Sequence, residues 1–224
     1  MATVIDAESK KKSLDIKSFI FWLIIIVAIV LPVVFFVSKK QSDKQQFASS
    51  EMFELVYDEL KEFDGLNITS KGNEVDAILV KLDEVINAYP KTISAKRAEF
   101  YKGYVCYFAG KNEQAETIFK NFVAKNKKLF LTPKAYYFLS FVYSDLDKND
   151  ESINSLEYIV NEIKDSYYAP LAYFRLGQLF DLSNDKDNAL KNYTILVEKY
   201  PNSSQVNLAK ERISLLKNDI QIFN

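Results

Sequence analysis

A chain of 224 residues with 48% hydrophobic and 26% charged side chains lies in the range of folded proteins, while five Gly, five Pro and a single Cys leave little for a turn-dense β fold and nothing for an internal disulfide. With 29 basic against 30 acidic residues no overall positive field exists to hold nucleic acid. His is absent, which removes the commonest general base and the commonest zinc ligand, so catalysis and metal binding are both disfavoured.

The first expected element is a short tail, residues 1–18, with a formal charge of +1. Residues 19–37, FIFWLIIIVAIVLPVVFFV, hold no charge and one proline, Pro32. With Ser18 and Ser38 the run reaches the roughly 20 residues that a helix needs to cross a bilayer. Trp22 lies near one end and Phe35 and Phe36 near the other, where aromatic rings favour the interface. The run is longer than a signal-peptide core and is followed by SKKQSDK instead of a small-residue cleavage site, so an uncleaved transmembrane helix is expected. Lysines on its two sides nearly balance. The short tail and the long following domain favour the tail inside and the bulk, mildly acidic, outside. Residues 38–45 are expected as a juxtamembrane linker.

Beyond the linker, apolar-periodic segments alternate with short polar turns, the pattern of helical hairpins. Sliding the chain by 37 residues aligns Ala98, Ala135 and Ala172; Phe100, Tyr137 and Phe174; Gly103, Ser140 and Gly177; Val105, Val142 and Leu179. The register continues through Ala115, Ser152 and Ala189, then Phe119, Leu156 and Tyr193, then Phe122, Ile159 and Leu196. Small meets small and large meets large, as closely packed helix pairs require. Units are therefore expected at 96–132, 133–169 and 170–203. Ahead of them stands an irregular first hairpin over 46–95, with a helix at 46–63 striped by Met52, Val56, Leu60 and Phe63, a loop at 65–73, and a second helix at 74–88. A closing helix at 204–217 begins the last segment, 204–224. The fold expected is all-α: one transmembrane helix, then a solenoid of three to four hairpins and a cap.

Residues 170–203 resemble a tetratricopeptide repeat. Tyr173, Leu176, Gly177 and Phe180 stand at that family's helix A positions, and Ala189, Tyr193 and Pro201 at its helix B positions. The unit from 133 matches with Tyr136, Leu139, Ser140, Tyr143 and Ser152, but has Lys164 in place of the terminal Pro. The unit from 96 keeps Gly103, Ala115 and Phe119 but has Glu99 and Lys102 where large apolar residues are usual, which suggests a displaced helix A. The period of 37 against the family's usual 34 implies extra residues at the FLT and YYA connections before Pro133 and Pro170. The phrases NAYPKTISAKRAEF and EKYPNSSQVNLAKERI are also similar to bacterial envelope repeat proteins, and the layout resembles the anchored ancillary subunits of the secretion translocon.

The resemblance implies a concave groove lined by helix A positions. Carried over, these are Arg97, Phe100, Tyr104, Tyr107 and Phe108; then Lys134, Tyr137, Phe141, Ser144 and Asp145; then Leu171, Phe174, Gln178, Asp181 and Leu182. An aromatic surface bounded by charge suits a peptide or a partner helix. No enzyme activity, cofactor or metal is expected: Asp145, Asp147 and Asn149 imitate a calcium loop, but Asp150 replaces its glycine and Leu156 its closing Glu. Cys106 falls at a packing position and reads as core. Partners implied are other envelope proteins, such as translocon, periplasmic chaperone or envelope-machine subunits. The alternative is a structural scaffold of a flagellar-motor collar or of a division or envelope-assembly complex, a homo- or hetero-oligomer associating through the convex face or through the open end near Ile213, Leu216 and Ile220.

Overall fold

The structure, a computed structural model, describes the backbone of residues 2–62 and 72–218 and the side chains of 18–61 and 74–218. Among the described residues there are nine helices and no strand. They are α1 (Ala2–Glu62), α2 (Gly72–Ala88), α3 (Ile93–Phe108), α4 (Asn112–Lys125), α5 (Thr132–Asp145), α6 (Asn149–Glu162), α7 (Tyr168–Leu182), α8 (Lys186–Lys199) and α9 (Val206–Lys217).

Residues 38–45, expected as a juxtamembrane linker, are helical, and the helix expected to open at 46 is the continuation of α1. Nothing between Val37 and Glu62 breaks a helix, since the stretch lacks Gly and Pro and is rich in Lys, Gln and Glu. The apolar run within α1 is almost wholly exposed, and by length and composition it is enough to cross a membrane. Residues 65–71 of the expected loop lie outside the described residues, as do Phe63 and Ile220, while Gly72 and Asn73 open α2.

The chain then runs up and down. Lys81 Nζ on α2 meets Glu59 on α1 at 2.5 Å, and the Ile93 N–H at the start of α3 donates to Gln46 Oε1 at 3.2 Å, so α2 is antiparallel and α3 parallel to α1. Phe53, Val56 and Leu60 of α1 close over Val75, Ile78, Leu82 and Val85 of α2 and Ala98 and Val105 of α3. The last stretch of α1 is therefore a working member of the solenoid. From α3 onward each helix packs on its chain neighbours, and α5 also touches α3 and α7.

Two close approaches explain the recurring small residue. A Cβ on Gly103 would stand 2.9 Å from the Phe119 ring, and one on Gly177 only 2.5 Å from the Tyr193 ring. Both rings are fully buried, sixteen residues downstream of their glycine. Helix A of the unit from 96 is thus in register with the third unit and is not displaced, another correction; Lys102 is accommodated by an ion pair to Asp83 of α2 at 2.6 Å.

The three turns from helix A to helix B are built alike. Gly110, Asp147 and Asn184, each 37 residues apart, have φ of 72°, 57° and 59°. The following N–H donates back five residues, Lys111 to Cys106, Lys148 to Tyr143 and Asp185 to Phe180, each at 2.8 Å. This is the left-handed cap that Gly, Asn and Asp tolerate best, so Asp147 serves the turn. Cys106 is buried, and burial raises its thiol pKa.

Candidate partner-binding groove

The parallel helices α3, α5 and α7 bring the expected residues into one aromatic field. Tyr104 lies 5.1 Å from Phe138, Tyr107 6.4 Å from Phe141, and Tyr137 5.1 Å from Phe141 and 5.5 Å from Tyr168 (ring centroids). These rings tilt or meet edge to face, the favourable geometry for aromatic pairs, and each stays half-buried. Burial is the main cause that raises the Tyr107 and Tyr137 hydroxyl pKa values, with the Asp145 carboxylate adding to it at Tyr107.

Cations stand over the rings. Lys134 Nζ lies 5.1 Å from the centroid of Phe100 and 5.9 Å from those of Tyr104 and Phe138. It forms no ion pair among the described residues, and burial lowers its pKa. Arg175 lies 4.5 Å over Phe141 and donates to Ser144 Oγ at 3.3 Å, while its Nε is buried without a hydrogen-bond acceptor among the described residues. Burial lowers its pKa too. Lys134, partly dehydrated over aromatic faces, is stabilised by the rings but has no carboxylate paired with it among the described residues.

Several expected residues are placed differently. Phe100 is fully buried between Phe119 and Phe122 and contributes no surface, because its side chain faces α4. Asp181 is occupied: Arg212 of α9 donates to it through Nε at 3.0 Å and again through Nη2, and both side chains are nearly buried. Arg97 is tied to Glu54 at 2.7 Å and stacked over Phe53, which makes it part of the α1–α3 contact. Phe174 tilts against Tyr193 at 5.7 Å, and Gln178 is half-buried beside it on α7. Tyr104, Tyr107, Lys134, Tyr137 and Phe141 therefore form the accessible centre.

Phe138 and Arg175 were not among the expected groove residues. Both sit at the register of Tyr101, 37 and 74 residues on, so the period could have found them; what hid them is that this register mixes aromatic with cationic side chains.

A family model described as Tetratricopeptide repeat matches residues 171–203. No curated protein matches the chain. Among solved structures, a tetratricopeptide repeat protein from Parabacteroides merdae ATCC 43184 is similar, with a TM-score of 0.59 at 13% identity over 76% of this chain. The chain spans 60% of that protein's length. BtubC (BKLC) from P. vanneervenii is similar over 80% of this chain and 85% of its own, with a TM-score of 0.53 at 13% identity. Identities this low speak to the fold alone. The chain is a tetratricopeptide-repeat-like α-solenoid, and its residues 171–203 match the tetratricopeptide repeat.

Proposed function

We propose that the chain is a membrane-anchored docking module that holds a segment of a partner protein in the groove of α3, α5 and α7. The observation that carries this reading is Lys134, a half-buried cation set among four aromatic rings with no ion-pair partner among the described residues. A partner segment bearing apolar side chains and a carboxylate would cover the rings and neutralise the charge together. The solenoid has the open, single-layer form suited to such contacts.

In this reading the apolar run of α1 crosses the inner membrane with the N-terminus inside, and the solenoid stands outside as part of an envelope complex, either with the secretion and chaperone machinery or as a scaffold in a motor or division assembly. The test is affinity purification of the tagged full-length chain from gently solubilised membranes, with and without Tyr104→Ser, Tyr137→Ser and Phe141→Ser combined with Lys134→Glu. Loss of the co-purifying envelope protein from a variant with unchanged helical circular dichroism is expected. Full retention of that partner would refute the groove.

A further inference from the structure

The turns that lead from one unit to the next all lie at one end of the solenoid. Because α3 runs parallel to α1, its starting turn is level with Gln46, and the turns before α5, α7 and α9 follow on the same side. Adjacent turns touch: the Tyr200 hydroxyl donates to the Lys164 carbonyl at 3.2 Å. This is also the end from which the apolar run of α1 emerges, nine residues before Gln46.

That edge differs in composition from the turns at the opposite end. Ile93, Phe130 and Tyr167, 37 residues apart, are 43%, 67% and 77% exposed. The four turns at 87–93, 125–131, 162–168 and 199–205 hold six lysines and two carboxylates. The opposite end, at 109–113, 145–151 and 182–188, holds seven carboxylates and three lysines. A cleft of about 880 Å³ between the third and fourth turns, with Lys164, Tyr167, Lys199 and Tyr200 on its walls, opens at the basic edge.

We propose that this ridge rests on the surface of the bilayer that α1 enters and binds anionic phospholipid headgroups, the lysines pairing with phosphate and Phe130 and Tyr167 entering the interface. The inference rests on the anchor reading above. The distances allow it. Nine helical residues place the first turn about 14 Å from the hydrocarbon edge, and the headgroup layer spans roughly 5–7 Å of that. The α7 turn lies about 30 Å sideways from α1 at ordinary helix spacings of about 10 Å. A tilt of about 20°, usual for a membrane helix, lowers that turn by about 10 Å, to headgroup level. Interfacial aromatics and lysines near anionic lipid are the ordinary means of holding such a pose, each lysine shifting the ratio of bound to lifted edge by about fivefold.

The test uses the full-length chain in lipid nanodiscs. With Cys106→Ala, a fluorophore is placed at Tyr167→Cys or, as the opposite-end control, at Glu113→Cys, and quenching by headgroup spin-labelled lipid is read. Strong quenching at 167 in discs containing anionic lipid is expected, weak quenching in purely zwitterionic discs, and none at 113. Lys127→Glu, Lys128→Glu and Lys164→Glu together should bring the 167 signal down to that of the control. Quenching at 167 no greater than at 113, or equal in both lipid compositions, would overturn the proposal. Alkaline carbonate extraction reports on the anchor alone: a chain released by it refutes the anchor and the ridge together, whereas a retained but unquenched chain refutes only the ridge.

Discussion

Replacing Gly177 by Ala tests whether the recurring small residue is there for packing. In a helix interior this exchange ordinarily stabilises by about 1 kcal/mol, because Ala is the better helix former. Here the new Cβ would meet Tyr193 Cε1 at 2.5 Å, Cδ1 at 2.7 Å and Cζ at 2.8 Å, so the ring must retreat by about 1 Å to reach ordinary contact. It has little room, being fully buried with Phe174 at 5.7 Å and α9 beyond it. Overpacking of this kind costs about 1–3 kcal/mol, occasionally more; set against the helix-propensity gain of about 1 kcal/mol, the net expected effect is a loss of up to about 2 kcal/mol, a change of up to roughly 30-fold in the folded-to-unfolded ratio. The assay is urea unfolding of the full-length protein in detergent, followed by helical circular dichroism. Pairing the exchange with Tyr193→Leu, which removes the obstructing ring, should recover part of the loss, and the coupling in that double-mutant cycle is the direct measure of the clash. Gly103→Ala, with its nearest contact at 2.9 Å, should be milder. If Gly177→Ala stabilises the protein by its helix propensity alone, the packing argument is wrong.

The cap on the solenoid gives a second prediction: Asp181→Ala leaves the nearly buried Arg212 without its carboxylate, and breaking such a pair costs about 3–5 kcal/mol. The unfolding midpoint should fall, with the α7–α9 end opening first; an unchanged midpoint would show that the pair holds nothing together. A third concerns acid. Lys148, at 2.6 Å, and Lys120 hold the Glu116 carboxyl below its ordinary pKa of 4.5, so this contribution to stability is complete above about that pH and drains away as pH falls through the lowered folded-state value. Glu116→Gln should remove that part of the acid dependence, and a pH–stability profile unchanged by the substitution would count against the assignment.

The solenoid was legible in the sequence because its packing rule is local and repeated. A glycine and a ring sixteen residues apart within one unit recur 74 residues on as Gly103–Phe119 and Gly177–Tyr193, so the period and the helix pairs could be read without coordinates. The groove was only partly legible. Phe100 and Tyr137 share a register, but Phe100 is buried against Phe119 and Phe122 of α4 whereas Tyr137 is half-buried against Phe141 and Tyr168, a difference that the period alone does not show. Asp181 was assigned to the surface because its partner, Arg212, comes from the next unit 31 residues away, a spacing that the 37-residue period does not predict. The helical continuity through 38–45 was hidden by polarity: lysines, serines and glutamines look like a spacer, yet nothing in them stops a helix that has already begun.

That continuity makes α1 a shaft with no universal joint. Along such a shaft, angular phase is carried as faithfully as length: one residue inserted among 38–45 would lift the solenoid by only about 1.5 Å but swing its concave side by about 100° around the shaft, and four residues would bring it back to within about 40° of its original bearing. Seven residues would restore the bearing to within about 20° while lifting the whole body by about 10 Å. Partners approached from a fixed compass direction, beside the same shaft, would follow the phase of such an insertion series, whereas partners limited by reach alone would follow its length.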